Sequence, residues 1–491
     1  MRKNISLIAL MAGSCAGSFA SRASDKPNII VILTDDWGRA DLGLYGTLDD
    51  VKTPHLDQLA KDGVLFTDGY ITSPQCAPSR AGLLTGRYQQ RFGFDCIGLG
   101  PLPLEEITIA DRLQKAGYVT GMAGKWHMEP TAPDLKWALE KHPELVKNNK
   151  IVSLPFEKMA PYFPGARGFQ EFYCGNKSPY YSNFDLSGQD ISPPKWQTTE
   201  EFRVDVKTKA TLAFIDRNKQ RPFFFYLAYF APHVPLEAPQ NYLDRFPGEM
   251  PERRRYALAM MSAVDDGVGR IVDSLAKAGL TENTLIVFAS DNGAPIGAHL
   301  SGGVMEDVLP ATKGGPEWDG SRNDPFCGEK GMLSDGGTRV PFIAAWPGTI
   351  PAGQRFTDPV ITLDIAATAN AIAGLPDDPK LDGVNLIPYL TGQKSGAPHE
   401  DLYWKFWNQA AIRSGDWKFI QAGNRGQLLF NLKEDPEEKN NLISAYPEKA
   451  KELRQKLSIW ADQMTPAGLP SGGGNDQEEK WYKYYFDKEL Q

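Results

Sequence analysis

The sequence contains little cysteine, no excess of basic residues and no long apolar segment beyond its N-terminus. Only 5 of its 491 residues are cysteines, and their wide scatter argues against a framework of disulfide bonds. One disulfide among Cys96, Cys174 and Cys327 is compatible with the sequence, as is their burial as small apolar residues. The formal net charge of −8 provides no broad basic surface for nucleic acid. No later segment predicts a transmembrane helix.

Residues 1–23 have the layout of a secretory signal peptide. A basic start precedes a short apolar core and the small residues of Ser18-Phe19-Ala20, and this core is too short to span a bilayer. We therefore expect an exported protein, either periplasmic or secreted. Ala12-Gly13-Ser14-Cys15 loosely resembles a lipoprotein cleavage site, so a surface lipoprotein is the alternative.

Four apolar runs predict strands of a parallel sheet, because each is continuous enough to be buried on both faces. Each run is soon followed by polar side chains. Residues 28–33 precede Asp35 and Asp36, residues 118–123 precede Lys125 and His127, residues 222–230 precede His233, and residues 285–290 precede Asp291 and Asn292. Since ligands bind beyond the carboxyl ends of such strands, we expect these side chains to converge on one site.

The sequence pattern predicts two folded units. Residues 24–392 are expected to form an α/β domain whose large, mostly parallel sheet is sandwiched by helices, one of them amphipathic from Arg253 to Ala278. Within it, residues 301–337 are predicted to be a long loop that lines the site. Short alternating strands and a helix from Pro447 to Met464 predict a smaller α+β domain with a short antiparallel sheet at residues 393–470. Residues 471–491 are interpreted as a linker and an aromatic tail.

Four oxygen-bearing side chains at two strand ends predict a metal site. Adjacent aspartates such as Asp35 and Asp36 are most often a turn or a helix cap when they occur alone. Asp291 and Asn292, after another strand, supply further oxygen ligands. Such a set suits Ca²⁺ or Mg²⁺ and is poor for Zn²⁺.

Cys76 opens the segment Cys76-Ala77-Pro78-Ser79-Arg80, which continues without a gap into Ala81-Gly82-Leu83-Leu84-Thr85-Gly86-Arg87. The helical pattern after Cys76 predicts that this side chain lies at a helix N-terminus, which favours anions. Alone, it would equally well be a buried structural cysteine. The whole segment resembles the signature of the formylglycine-dependent (type I) sulfatases of the alkaline phosphatase superfamily, and the resemblance extends over about residues 26–442.

This resemblance implies an alkaline phosphatase-like fold, sulfuric ester hydrolysis and oxidation of Cys76 to formylglycine (3-oxoalanine) by a separate maturation enzyme. The residues that match the family's calcium ligands are Asp35, Asp36, Asp291 and Asn292. Position 76 completes that site, and Mg²⁺ is the second choice. Arg80, Lys125 and Lys330 would surround the transferring group with positive charge. His233 would protonate the departing oxygen, and His127 would remove a proton so that sulfate leaves.

Without the motif, Lys125 and Lys330 would be interpreted as surface charges. The histidines outside the strand ends are predicted to be structural: His55, His142, His299 and His399. Arg39 stands where many relatives have a smaller or aromatic residue, and it is interpreted as a surface arginine, with binding of an acidic substrate as the alternative.

Export and the expected site loops favour a sulfated carbohydrate, such as a polysaccharide, as the substrate. Basic residues that could hold its other acidic groups are Arg167, Arg203, Lys313 and Arg322. Two rival functions are compatible with the sequence. One is a formylglycine-dependent phosphodiesterase or phosphonate monoester hydrolase, and the other is a non-catalytic protein that binds sulfated glycans.

Overall fold

The computed structural model describes residues 26–296 and 320–486. The predicted signal peptide and residues 301–319 of the predicted long loop lie outside these ranges. The strands of the described ranges are β1 (Asn28–Asp35), β2 (Val64–Phe66), β3 (Gly69–Tyr70), β4 (Val119–Gly124), β5 (Val146–Lys147), β6 (Lys150–Ile151), β7 (Glu171–Cys174), β8 (Tyr180–Phe184), β9 (Asp190–Gln197), β10 (Phe223–Pro232), β11 (Thr284–Ser290), β12 (Phe342–Ala345), β13 (Gln354–Phe356), β14 (Val360–Ile361), β15 (Asp401–Phe406), β16 (Gln409–Ser414), β17 (Trp417–Ala422) and β18 (Gly426–Asn431).

The α-helices vary from single turns to more than seven turns. They are α1 (Pro54–Lys61), α2 (Cys76–Thr85), α3 (Ile109–Lys115), α4 (Leu135–Lys141), α5 (Phe156–Met159), α6 (Arg203–Asn218), α7 (Gln240–Leu243), α8 (Glu252–Lys277), α9 (Asp335–Thr338), α10 (Leu363–Ile372), α11 (Ile387–Leu390), α12 (Pro447–Ala461) and α13 (Asp476–Phe486). The long amphipathic helix predicted from Arg253 to Ala278 is confirmed as α8. No helix within the described ranges has the length and apolarity needed to cross a membrane.

The main sheet has 10 strands in the order β13-β2-β12-β11-β1-β10-β4-β7-β8-β9. The four strands predicted from apolar runs are the adjacent, mutually parallel strands β11, β1, β10 and β4. Strands β12, β2, β8 and β9, which lie toward the two edges, pair in antiparallel fashion. Because the central strands are parallel, their carboxyl ends share one edge, as the sequence predicts.

Helices cover both faces of this sheet, which explains why β1 is apolar at successive positions. Ile30 and Ile32 pack into a core with residues of α6 and α8, whereas Ile29 and Val31 pack with residues of α2, α3 and α10 on the other face. A strand in the middle of such a sandwich has no solvent-facing side, so alternation of polar and apolar residues is not required.

The C-terminal strands β15–β18 form a 4-stranded antiparallel sheet against which α12 packs. The apolar core of this sheet also contains Tyr70, Met332 and Leu333 from the larger part of the chain. Residues on both sides of the predicted domain boundary, between residues 392 and 393, therefore share one apolar core. The boundary itself remains a prediction.

Residues 476–486 form α13, where the sequence was interpreted as part of a linker and aromatic tail. Four aromatic side chains of this helix are buried in the core of the C-terminal sheet: Trp481, Tyr482, Tyr484 and Tyr485. Trp481 Nε1 donates to Glu329 Oε1 at 3.0 Å, and the Leu333 N–H donates to the Tyr485 hydroxyl at 2.8 Å. Helix α13 is therefore packed directly against the segment that carries Lys330.

We expect Trp481→Ala to lower the free energy of unfolding by about 3–5 kcal/mol, because the change leaves a cavity under Gly331 and removes a buried hydrogen bond. Lys483→Ala on the exposed face of the same helix should stay within about 0.5 kcal/mol of the parent. Denaturant titration of the purified variants measures both values. Equal stability of the two variants would contradict the packing of α13.

Candidate active site at the carboxyl edge of the sheet

Cys76 is the first residue of α2, as predicted, and its side chain is only 3% exposed. Gln75 before it is extended and has its side-chain oxygen bound by the Ile97 N–H at 3.0 Å, so the helix begins at a fixed point. The start of α2 directs unpaired backbone N–H groups and the positive end of the helix dipole toward position 76. This position is therefore suited to a group that carries or develops negative charge.

Two carboxylates from neighbouring strands lie beside position 76. Oxygen atoms of Asp35, at the end of β1, and Asp291, after β11, lie within 4.8 Å of each other and of the Cys76 sulfur. Asp36 follows in a left-handed conformation, with φ of 64°, and its carboxylate lies near Asp35 and His233. The convergence of strand ends inferred from the sequence is thus present in the structure.

Arg80 joins these carboxylates one turn along α2 from Cys76. Its Nε and Nη2 donate to Asp291 Oδ2 at 2.9 and 2.6 Å, and Nη2 is 3.3 Å from Asp35 Oδ2. Nη1 donates to the Tyr226 hydroxyl and the Lys125 carbonyl, each at 3.3 Å. The guanidinium is fully buried, so its charge is held in place by these partners.

Two lysines complete the positive charge of the site. Lys125 Nζ is 2.6 Å from Asp35 Oδ2, and Lys330 Nζ is 2.7 Å from Asp36 Oδ1. Burial raises the pKa of Asp35, but Lys125 and the other nearby cations outweigh burial and hold that pKa well below its usual range. Burial lowers the pKa of Lys330, and Asp36 more than reverses this effect. Lys125 and Lys330 are therefore cationic, with buried partners rather than surface positions.

A glycine allows the chain to turn from β4 into the site. Gly124 has φ of 106°, and a Cβ added there would lie 1.9 Å from the Ala228 carbonyl oxygen on the neighbouring strand. Only glycine fits this conformation and this close approach. The turn brings Lys125 to Asp35 immediately after the strand ends.

His233 lies on the other side of Asp36. Its ring stacks on Phe230 with centroids 4.6 Å apart, Nδ1 is 2.7 Å from the Val234 carbonyl oxygen, and Nε2 is 3.6 Å from Asp36 Oδ2. Nδ1–H is the donor to that carbonyl, which leaves Nε2 as the atom directed toward the acidic groups. Burial lowers the pKa of His233 to about 4, although Asp36 opposes the shift.

His127 also has a left-handed backbone conformation, with φ of 64°. Its Nδ1 is buried and has no hydrogen-bond partner among residues 26–296 and 320–486. Burial, followed by the charges of Lys125 and Arg80, holds the pKa of His127 well below its usual value. A neutral imidazole with an unpartnered nitrogen is able to accept a proton.

The oxygen atoms of this site fit a hard divalent cation. Asp35 Oδ1 and Asn292 Oδ1 are buried and receive no hydrogen bond from the described residues. Burial and the charge of Asp35 raise the pKa of Asp291 to about 7, a repulsion that a cation between the two carboxylates would relieve. Asp36 is already bound by Lys330 and by Asn292 Nδ2, at 2.7 and 2.6 Å, so a cation would compete with these donors.

Two residues of the site, Tyr226 and Phe230, were not predicted from the sequence. Tyr226 binds Arg80, and Phe230 supports His233 while its ring centroid lies 5.1 Å from Lys125 Nζ. Both lie on β10, within an apolar run whose every residue is buried. Their even spacing in a strand that ends at the site was the only signal that they face the same side as Arg80.

The structure corrects several predictions for basic residues outside the centre of the site. Arg167 and Arg203, expected to hold acidic groups of a substrate, are 3% and 2% exposed and donate to backbone carbonyls. Arg322 pairs with Asp324, and Lys313 lies outside the described residues. Arg39 is half-buried and stacks on Tyr45 and Phe326, with its guanidinium carbon 3.8 and 4.8 Å from the ring centroids.

The possible disulfide is not formed in this structure. Cys96, Cys174 and Cys327 are all free thiols. Cys96 and Cys174 are buried and Cys327 is partly buried, so the interpretation as small packed residues fits better than that of a disulfide.

Comparison with known proteins agrees with this geometry. The profile of the family described as Sulfatase matches residues 27–375, and the profile described as N-sulphoglucosamine sulphohydrolase, C-terminal, matches residues 327–463. N-acetylgalactosamine-6-sulfatase of Canis lupus familiaris is 33% identical over 430 residues, which cover 83% of this chain and 74% of that protein. N-acetylgalactosamine-6-O-sulfatase of Bacteroides thetaiotaomicron is 30% identical over 494 residues, which cover 88% of this chain and 93% of that protein.

The fold is similarly close to a solved structure. The crystal structure of Ps i-CgsB in complex with k-i-k-neocarrahexaose matches with a TM-score of 0.72 and 30% sequence identity, covering 95% of this chain and 100% of that one. The family profile spans most of the chain and includes every acidic, cationic and imidazole group described above. The chain therefore belongs to the sulfatase family, the type I sulfuric ester hydrolases of the alkaline phosphatase superfamily.

Proposed function

We propose that this chain removes sulfate from a sulfated carbohydrate, with position 76 as the nucleophilic centre after conversion of Cys76 to formylglycine. The observation that carries the proposal is the position of Cys76 at a helix N-terminus within 4.8 Å of oxygen atoms of both Asp35 and Asp291. The two relatives named as N-acetylgalactosamine sulfatases support a sugar as the alcohol part of the ester.

The unmodified thiol is a poor nucleophile in this position. Burial raises the pKa of the Cys76 thiol, and the nearby Lys125 and Lys330 do not compensate. Attack requires the thiolate, so a cysteine here would be largely protonated at neutral pH. This supports maturation by a separate enzyme before the site becomes active.

The proposed metal is Ca²⁺, held by Asp35, Asp36, Asp291 and Asn292. When bound, the ion would polarise the sulfate oxygens, and formylglycine would supply the nucleophilic oxygen. The three carboxylates and the three cations, Arg80, Lys125 and Lys330, balance each other, so a divalent ion gives the site a positive excess. An anionic ester is attracted to such a site, and the charge that develops during transfer is stabilised.

The two histidines have different proposed roles. His233 Nε2 would protonate the ester oxygen as it departs, and the charge of the bound ester would favour this proton by raising the pKa of His233. His127 would take a proton from the oxygen at position 76, so that inorganic sulfate leaves. Its low pKa and unpartnered Nδ1 support the role of a base.

We further propose that the protein acts outside the cytoplasm, in the periplasm or after secretion. This rests on the signal-peptide pattern at residues 1–23.

The proposal is tested by measuring sulfate release, resolved by ring position, from a panel of defined sulfated oligosaccharides. Protein matured at position 76 should act on at least one sugar, and a matched aryl phosphodiester should react more slowly than the aryl sulfate. Activity on aryl sulfates alone would contradict the carbohydrate substrate. A faster phosphodiester reaction would favour the rival hydrolase, and tight glycan binding without sulfate release would favour the non-catalytic alternative.

His233→Ala should lower kcat on sugar sulfates by about 10²–10⁴-fold, because a sugar alkoxide leaves poorly without a proton. An aryl sulfate with an acidic phenol as leaving group needs little protonation and should lose much less. Rates on both substrates, measured with the same preparation, give the comparison. Equal losses on both would contradict the role of His233 as the acid.

A further inference from the structure

An unusual tryptophan lies at the tip of the β15–β16 hairpin. Phe406 pairs with Gln409, so Trp407 and Asn408 form a two-residue turn. Such turns favour asparagine, aspartate and glycine, because their backbone requires positive φ. Trp407 nevertheless has φ of 49°. A bulky aromatic residue in this conformation costs stability, and such outliers concentrate at functional sites.

Helix α13 holds this turn in place. The Asn408 N–H and Nδ2 donate to the buried carboxylate of Glu478 at 2.8 and 3.0 Å. The Trp407 ring stacks on Phe406 and Trp481, with centroid distances of 4.8 and 5.7 Å and interplanar angles of 20° and 25°. Phe406 and Trp481 are buried, whereas Trp407 is partly exposed. The indole is therefore a rigid surface with solvent access.

The indole borders the site through the segment that carries Lys330. Trp481, on which Trp407 stacks, lies so close to Gly331 that a Cβ there would be 2.1 Å from its ring. The Gly331 N–H in turn donates to the Pro74 carbonyl at 2.9 Å, two residues before Cys76. The Trp481 ring therefore lies between Trp407 and Gly331, the residue that follows Lys330.

A second path of contacts leads from Trp407 to the start of α2. Trp407 packs against the apolar core that contains Cys96, and the residue after Cys96, Ile97, donates its N–H to the Gln75 side chain. The segment that contains Cys96 and Ile97 thus connects the indole to Gln75, the residue that precedes position 76.

We propose that the Trp407 indole is the surface on which the sugar ring that carries the sulfate ester stacks. A sulfate bound beside Lys330 would bring its sugar ring toward this indole, because the Trp481 ring contacts both Trp407 and Gly331, the residue after Lys330. The C–H groups on one face of a pyranose carry partial positive charge, which suits the negative face of an indole. This inference rests on the proposed function.

Steady-state kinetics of the matured enzyme on an active sulfated sugar test the proposal. Trp407→Ala should raise KM about tenfold and leave kcat within about twofold, because it removes binding and not chemistry. Inhibition by inorganic sulfate, which occupies only the charged part of the site, should be unchanged. Trp407→Phe keeps an aromatic face and should restore most of the affinity.

Trp417→Ala is the matched control. Trp417 is also partly buried and its ring contacts that of Tyr446, but it begins β17 and pairs with Ser414, at the end of β16 far from Trp407. This variant should keep the parent KM. An unchanged KM in Trp407→Ala would overturn the inference, as would an equal weakening of sulfate inhibition, since that would show a disturbed charge site. Failure of the parent enzyme on every sugar would instead contradict the proposed function.

Discussion

Replacing Cys76 with alanine should reduce sulfate release by at least about 10⁴-fold, because the change removes the proposed nucleophilic group and leaves only the binding and charge of the site. The fold should be retained, since alanine preserves the Cβ at the start of α2 and this cysteine makes no disulfide. The measurement is sulfate release from an activated aryl sulfate by the purified variant, with its melting temperature recorded beside that of the parent.

Cys174→Ala is the control for this prediction. Cys174 is also buried and free, but it ends β7, two strands away from β10 in the sheet order. Its replacement should leave turnover close to that of the parent. Normal turnover in Cys76→Ala, or an unmodified thiol at position 76 in fully active parent protein by peptide mass analysis, would contradict the proposed chemistry.

Replacing Arg80 with leucine should impair both stability and turnover. The variant leaves Asp291 and Asp35 buried without the guanidinium, and breaking such a buried pair typically costs about 3–5 kcal/mol. Loss of a fixed positive group beside the transferring sulfate should lower kcat by about 10²–10³-fold or more. Denaturant titration and initial rates measure the two effects. Lysine cannot replace the two-nitrogen contact to Asp291, so Arg80→Lys should also fail to restore activity.

Arg413→Leu separates the two effects. Arg413 is likewise buried and paired, with Nη1 2.6 Å from both Asp68 Oδ1 and the Tyr70 hydroxyl, but it lies in the C-terminal sheet. We expect a comparable loss of stability with nearly normal turnover per folded molecule. A large loss of turnover in this control would mean that the Arg80 result reflects general destabilisation. Full activity in Arg80→Leu would contradict its place in the site.

The sequence predicts the centre of the fold well because burial on both faces leaves a strong pattern. Strands β1, β4, β10 and β11 are continuous apolar runs, and the polar residues that follow them mark the carboxyl edge. The antiparallel outer strands are short or mixed in pattern. β9, for example, has only exposed and half-buried positions without a regular alternation, and its two prolines weaken any strand prediction.

The sequence predicts which residues belong to the candidate site, but it does not predict which of them form ion pairs with each other. The motif from Cys76 to Arg87 and the strand ends identify which side chains belong together. Nothing in the sequence indicates that Lys330 binds Asp36 or that Lys125 binds Asp35, because these contacts depend on backbone turns at Gly124, Asp36 and His127. The packing of α13 was not predictable either, because the sequence does not show which surfaces its aromatic side chains contact.

The burial of position 76 limits when its side chain can be modified. An enzyme that oxidises this thiol needs access to the chain around it, and the folded molecule exposes only 3% of the residue. The proposed oxidation of Cys76 would therefore have to precede folding. Under this proposal, a molecule that folds first would stay unoxidised and inactive, so the active fraction of a preparation would depend on the rate of oxidation relative to the rate of folding. Treating native protein with the oxidising enzyme should not increase that fraction, whereas treatment during refolding should.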